Sequence, residues 1–408
     1  MKCRFCQSSL NLELIDLVSS PPSNSYLSEE QLNLPEIYYP LKVMVCTNCW
    51  LVQIDEFKKH DEIFNENYAY FSSFSTSWLA HCNQYVSMIT ERLGLDETSS
   101  VMEIASNDGY LLQYFQEKNI HCLGIEPTES TALECQKKGI DTIIEFFGVK
   151  LAEKLAIDNK LMDLIVGNNV LAHVPDVNDF VKGIKRVLKP SGVITMEFPH
   201  LLKLLKESQF DTIYHEHYSY ISLFSAIKIF SFHGLRIFDV EELPTHGGSL
   251  RIFACHEENN AFEVSDRVNQ LLAIEKKEGL QDETIYRSFS EKIDSIKINF
   301  IQFLINSKAQ GNSVIGYGAA AKGNTLLNYC GVRSDLIQYA VDASPHKVGK
   351  FLPGSHIAVV GEESIRKTKP DYIIILPWNL QDEIKEKLSY VRVWGCKFVV
   401  AIPEMIID

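Results

Sequence analysis

Apolar and polar positions follow two periods along most of this chain, one helical and one extended. Helical spacing runs from about Trp78 to Leu93. From there to about residue 255, short apolar strands alternate with amphipathic helices. Strands are predicted over VMEIA (101–105), HCLGIEP (121–127), Asp141–Phe146, MDLIVGNN (162–169) and GVITMEFP (192–199). Helices are predicted over Gly109–Glu117, through Glu134 and Lys137, over 178–188 and over Ser222–His233. LRIFDVEEL and SLRIFACH then read as two successive strands. That order implies an α/β fold with a mostly parallel sheet and an antiparallel edge hairpin. Residues 260–310 are charged and helix-periodic, a connector. NSVIGYGAAAKGN, LIQYAVDAS, DYIIILPW and KFVVAIP then supply a second, smaller α/β unit of about 100 residues. Ahead of it all, SSPPSNSYLSEEQLNLPEIYYPLKV is rich in turn formers, and Pro35 and Pro40 block a long helix. An irregular module is expected there.

Composition narrows the classes. The 408 residues are 46% hydrophobic and 23% charged, the balance of a globular protein. No apolar run approaches the ~18 residues that span a bilayer. The net charge of −14 repels phosphate backbones, so no nucleic-acid partner is expected, while a small phosphorylated ligand remains compatible. The opening MKCRFCQSSL has no apolar secretion-signal core, so a cytoplasmic, reducing setting is expected for the ten cysteines. Four of them form two C-x-x-C knuckles, Cys3/Cys6 and Cys46/Cys49, with 39 residues between the knuckles. Two knuckles complete a closed S₄ tetrahedron, which points to one structural zinc; a pair of redox dithiols is the other reading.

The first strand–helix junction, Glu103-Ile104-Ala105-Ser106-Asn107-Asp108-Gly109, lies where open α/β sheets bind nucleotide-like cofactors. Only Gly109 remains of a Gly-x-Gly-x-x-Gly pattern, which argues against a pyrophosphate. Glu126 ends the second strand, where a carboxylate can accept both ribose hydroxyls of an adenosyl group. Acid, small-residue turn and acid together suggest S-adenosylmethionine, against a generic turn that binds nothing. Glu126 would hold the ribose, with Asn107 and Asp108 bordering the methionine end.

Three readings fit Asp211-Thr212-Ile213-Tyr214-His215-Glu216-His217-Tyr218: a divalent-metal site, a solvated polar loop, or an acid–base cluster. An extended segment would put His215 and His217 on one face and Tyr214, Glu216 and Tyr218 on the other. His173, just past the fourth strand, borders the crevice beyond the strand ends; alone, a histidine before Val-Pro is more often structural. In Gly316-Tyr317-Gly318-Ala319-Ala320-Ala321-Lys322-Gly323-Asn324, small residues let backbone N–H groups approach a phosphate, or merely let helix and sheet pack.

The order of zinc knuckles, EIASNDGYLL, GIEPTE, NNVLAHVPD, YHEHYSYIS, HGGSLR and GYGAAAKGN resembles the C-methyltransferases of nucleotide-linked keto-deoxysugars, over nearly the whole chain. The resemblance implies a zinc-binding N-terminal domain (1–66), a class I methyltransferase Rossmann-like domain (67–258), a helical connector (259–310) and a Rossmann-like C-terminal domain holding the substrate nucleotide (311–408). It implies C-methylation, at carbon 3, of an NDP-4-keto-deoxysugar through an enolate. His217 is then the base, Tyr214 and Glu216 are its polar neighbours, and His173 and Tyr68 support the enolate oxygens. Tyr70 competes with Tyr68 for that assignment, and aromatic packing competes with both. Glu103, Ala105, Asn107, Asp108, Gly109, Glu126 and Asn168 would line the cofactor site, and His246, Gly247, Lys322 and Asn324 the substrate site. O- or N-methylation of a small metabolite and a non-catalytic zinc-stabilised scaffold are the alternatives. A monomer or weak homo-oligomer is expected.

Overall fold

In the N-terminal module, LELIDLVSS (Leu12–Ser20) buries Leu12, Leu14, Ile15 and Leu17 and forms a nine-residue strand, β1, whose alternation is shifted by two bulges. It pairs antiparallel with β2 (Tyr39–Val45), and β2 with β3 (Val52–Ile54). The expected irregular module is therefore a sheet, because the apolar residues of these three strands share one core in spite of the turn formers between them. The structure is a computed structural model that describes residues 1–57 and 71–408.

The helix Thr76–Leu93 starts where Ser75 Oγ accepts the Trp78 N–H and stops at Gly94, whose φ of 63° suits glycine. Its buried face carries Trp78, Cys82, Tyr85, Val86 and Ile89. Beyond it lie β4 (Ser100–Ile104), β5 (His121–Ile125), β6 (Asp141–Ile143), β7 (Met162–Asn168) and β8 (Leu188–Pro199). The two-residue β9 (Ser219–Tyr220) is followed by β10 (Leu235–Leu243) and β11 (Ser249–His256). Seven of these form one sheet in the order β10-β11-β8-β7-β4-β5-β6, parallel from β8 to β6, with β11 antiparallel to both β8 and β10. The order reverses between β4 and β7, which opens the crevice beyond their carboxyl ends. β9 leaves this sheet and pairs with β3, Val52 opposite Tyr220, making the N-terminal sheet four-stranded.

The connector consists of the helices Asp266–Lys277, Glu283–Arg287 and Phe289–Ala309. A third sheet, β14-β13-β12-β15-β16-β17, comprises β12 (Val314–Tyr317), β13 (Ala340–Val341), β14 (Val359–Val360), β15 (Tyr372–Ile375), β16 (Lys397–Val400) and β17 (Ile406–Ile407). Only β17 runs antiparallel. One apolar core runs from β1–β3 through Tyr286, Phe289 and Phe300 into this sheet. Two others cover the faces of the seven-stranded sheet.

Charge is buried across that sheet too. Arg251 on β11 faces Glu197 of β8 on one side and Glu241 of β10 on the other. Its guanidinium donates to both, at 2.7 and 3.0 Å, and covers the Tyr85 ring at 4.5 Å. Glu197 also meets His81 at 2.9 Å and accepts from Thr245 at 2.8 Å. Burial alone would raise the Glu197 carboxyl, but His81 and Arg251 hold it below the usual range. Arg251→Met should cost roughly 3 to 5 kcal/mol of stability by stranding buried Glu197. Urea unfolding measures the loss, and adding Glu197→Gln should recover part of it; equal loss in single and double variants would refute the charge argument.

Candidate active site and metal centre

The two knuckles fold alike. Cys3 N–H bonds Ser8 O and Gln7 N–H bonds Cys3 O; in the second, Cys46 N–H bonds Leu51 O and Trp50 N–H bonds Cys46 O. Gln7 and Trp50 both take φ of 60° to turn the chain back. This repeat brings the four sulfurs within 4.8 Å of one another, with Cys3–Cys49 and Cys6–Cys46 each at 3.5 Å. A zinc tetrahedron with ~2.3 Å Zn–S bonds has edges near 3.8 Å, so the donor set fits zinc. The hydrogen bond between Cys3 and Cys49 lowers the first thiol and raises the second. Gln53 Nε2 donates to Cys3 Sγ at 3.3 Å, a support for the ligand itself. All four expected ligands converge.

At the end of β4 the chain turns through Ala105 (φ 60°), Asn107 (φ 48°) and Gly109 (φ 75°). A Cβ on Gly109 would meet Ile140 Cδ1 at 2.8 Å and Cys135 Sγ at 2.9 Å, so this turn needs glycine there. Glu126, at the end of β5, accepts the N–H groups of Asn107 (2.9 Å) and Thr128 (2.8 Å). Burial raises its carboxyl against those bonds. Each carboxylate oxygen keeps a second lone pair, so a ribose can still be held. Glu103 beneath the turn is fully buried, and burial pushes it well above the carboxylate range. Asp108 Oδ2 accepts from Ser73, while its buried Oδ1 has no partner among the described residues. An orphaned acidic oxygen at this turn suits the ammonium end of an amino-acid moiety, so the residues fit S-adenosylmethionine. Asn168 is buried at the end of β7. Its neighbour Asn169 (φ 53°) bonds His246 at 3.0 Å, and Trp78 lies 5.2 Å from the His246 ring.

Residues 214–217 form a tight turn closed by His217 N–H on Tyr214 O, at 2.9 Å. The extended alternation is therefore replaced: Tyr214 lies over His217, ring centres 4.0 Å apart. His217 Nδ1 is 2.8 Å from Thr212 O, and a carbonyl only accepts, so Nδ1 carries the proton. Nε2 is then the basic nitrogen, and it receives the Tyr214 phenol at 2.8 Å. His173 Nδ1 likewise donates to Glu216 O at 2.7 Å. The two imidazoles stand 4.6 Å apart, edge to face. Burial, then the neighbouring His173, lowers His217 well below its ordinary value; burial lowers His173 to about 4. Both are neutral near pH 7, and so is His246, lowered to about 4. Unfolding would return these imidazoles to about 6.5, so the unfolded chain takes up more protons between about 6.5 and 4. Stability should therefore fall as pH falls through that window, seen as a dropping melting temperature by calorimetry; a flat profile would refute the neutral histidines.

Glu216 Oε1 accepts from Asn24 N and Nδ2, both at 3.3 Å. His215 turns away to Pro40 O (3.2 Å) and the Tyr39 ring. Tyr68 and Tyr70 lie outside the described residues.

From the C-terminal unit, Lys322 reaches Asn379 Oδ1 (2.7 Å) and stands 4.6 Å over the Trp378 ring. Trp378 Nε1 donates to Asp211 Oδ2 at 2.8 Å. Burial raises Asp211 to about 6 and lowers Lys322. Gly247 (φ 93°) packs so closely on Trp378 that a Cβ would overlap the ring. Lys322, Gly247 and His246 thus border one region. Asn324 instead donates to Ser23 O at 2.6 Å, and Thr325 to Ile213 O at 2.8 Å, fixing the N-terminal loop and the Tyr214–His217 turn. Asn24, Trp378 and Asn379 are not legible as site residues in the sequence. For Trp378 and Asn379 the available signal was position just beyond a parallel strand, β15; Asn24 lies in a turn-rich loop with none.

Three family profiles match: a zinc binding domain over residues 3–64, a methyltransferase domain over 78–240 and a C-methyltransferase C-terminal domain over 244–403. The C-methyltransferase NovU of Streptomyces niveus is 34% identical over 403 residues, 99% of this chain and 96% of that one. Among solved structures, the PH0226 protein of Pyrococcus horikoshii is similar at 15% identity, over 49% of this chain and 99% of that chain, with a TM-score of 0.38. A Clostridium acetobutylicum S-adenosylmethionine-dependent methyltransferase is similar at 13% identity, over 44% and 92%, with a TM-score of 0.36.

Proposed function

The chain belongs to the C-methyltransferase family, and from that premise we propose that it methylates a carbon next to the ketone, carbon 3, of an NDP-linked 4-keto-deoxysugar. S-adenosylmethionine supplies an electrophilic methyl group, and the zinc is structural. The observation that carries the reading is the buried, neutral His217, its Nδ1–H fixed on Thr212 O and its Nε2 presented beside a phenol. A ketone acidifies the neighbouring C–H, and a base of this kind can remove that proton without a metal.

His217 Nε2 takes the proton, and Tyr214 exchanges its hydrogen bond as it does so. His173 is held as the Nδ1–H tautomer, so its Nε2 accepts rather than donates while neutral. It supports an enolate oxygen through charge: with the rings 4.6 Å apart, one proton taken up by the pair becomes positive charge next to both. Glu216 holds His173 by its main chain and Asn24 by its side chain. Tyr68 remains the second oxygen ligand of this proposal. Lys322, His246 and Gly247 border the substrate. The ten unpaired cysteines fit a reducing, cytoplasmic setting. No helix among the described residues is long and apolar enough to cross a membrane.

Incubation with TDP-, GDP- and CDP-4-keto-6-deoxysugars plus S-adenosylmethionine should add one methylene by mass, stable to acid hydrolysis on the carbon skeleton. Methyl on oxygen or nitrogen would overturn the reading. Glu126→Ala should weaken S-adenosylmethionine binding by about 1.5 to 3 kcal/mol, the range for hydrogen bonds to a charged group. Calorimetry measures it, and unchanged affinity would remove Glu126 from the ribose site.

A further inference from the structure

The first knuckle carries, between Cys3 and Cys6, an arginine that no zinc site requires. Arg4 does not point to solvent. Its NH1 donates to Pro175 O at 2.7 Å and its NH2 to Ile54 O at 2.6 Å. The guanidinium also covers the Tyr218 ring, 5.3 Å from its centre. Pro175 lies two residues beyond His173 and Tyr218 one beyond His217, while Ile54 N–H bonds Tyr218 O at 3.1 Å. One planar group therefore touches both loops that carry the histidine pair.

The other end of Arg4 is fixed just as firmly. Its N–H bonds Gln53 Oε1 at 2.8 Å, and the same Gln53 donates to Cys3 Sγ. Asn178 Nδ2 holds the carbonyls of Arg4 (3.3 Å) and Phe5 (2.9 Å). The metal-bound turn sets where the Arg4 stem begins, and the rigid fork sets where Pro175 and Tyr218 end. A surface arginine kept for solubility would not place two donors on main-chain carbonyls of separate segments.

We infer that Arg4 is a positioning residue that transmits the zinc-fixed knuckle geometry to the spacing of His173 and His217, so that methyl transfer depends on the metal module through this side chain. The inference rests on the histidine pair being the reacting pair. Displacing a reacting group by ~1 Å can cost ~10²-fold in rate. Lysine keeps the charge but can span only one of the two carbonyls, and methionine keeps only the stem.

The test uses full-length, zinc-loaded Arg4→Lys and Arg4→Met. Zinc content should stay at one per chain and S-adenosylmethionine affinity within twofold, while kcat falls ~10- to 100-fold in Arg4→Met and less in Arg4→Lys. The charges facing His217 are those of His173, His246 and Lys322, and burial is the main influence lowering it. Loosened loops admit water, so the His173 and His217 titrations followed by NMR should move up toward the ordinary imidazole value. Turnover and titrations both unchanged in a zinc-loaded variant would overturn the inference. So would cofactor affinity falling in step with kcat, the sign of general damage. If Arg4→Met does not fold, Arg4→Lys decides by the same readouts. The titrations need no sugar, so a wild type inert toward every 4-keto sugar would refute the substrate reading and leave Arg4 to be judged by them alone.

Discussion

His217→Ala is expected to bind cofactor and sugar normally yet lose roughly 10² to 10⁴ in turnover, the usual contribution of a general base. Alanine removes the nitrogen that receives Tyr214 and the donor on Thr212 O, together with the ring that packs on Tyr214 and His173. The wild-type pH profile follows from burial. His217 is lowered well below its ordinary value, so the basic form is already complete at pH 7. Rate should stay flat on that limb from about pH 6.5 upward and fall only on the acid side. A limb centred at 6.5 or above would contradict the buried neutral base. Proton exchange is the more direct test. In deuterated water with S-adenosylhomocysteine, the wild type should wash deuterium into the carbon beside the ketone, and His217→Ala should not. Near-normal methylation in His217→Ala with the loss in His215→Ala or His173→Ala would put the base elsewhere.

Removing the zinc is expected to act on the whole N-terminal sheet and, through it, on the site. Structural zinc contributes on the order of 10 kcal/mol of folding free energy in small modules. Cys3, Cys46 and Cys49 are buried against the same core as the helix Leu223–Phe232, so the sulfurs cannot be solvated without opening it. A chelator titration, or Cys46→Ser, should release zinc, expose residues 1–57 to proteolysis and abolish turnover. S-adenosylmethionine binding should survive better, since Glu126 and the 105–109 turn belong to the other sheet. The coupling has a structural reason. β9, two residues past His217, pairs with β3 of the zinc module. Full activity in zinc-free protein would refute it.

The strands that line the cofactor crevice were legible because their signal is local. VMEIA and MDLIVGNN are buried along nearly their whole length and carry short apolar runs that read as strands wherever they sit. The C-x-x-C spacing is legible for the same reason, since two cysteines three apart already share one turn. LELIDLVSS is less legible, because two bulges break its alternation and Pro21 and Pro22 follow it directly.

By itself, the sequence determined the seven strands of the large sheet and their order along the chain, the four sulfur ligands, the acidic residues at the ends of β4 and β5 and the family resemblance. All of these depend on neighbours a few positions away or on strand ends. Only the tertiary structure decided the chemistry at His217. Its tautomer is set by Thr212 O, five residues back, but its burial and charge depend on His173, which is held by Glu216 O. Glu216 is in turn gripped by Asn24, 192 residues earlier, and Arg4 reaches Pro175 across 171 residues. Desolvation is a property of what packs around a group from every direction, and nothing in a local pattern says which distant segment will supply that packing.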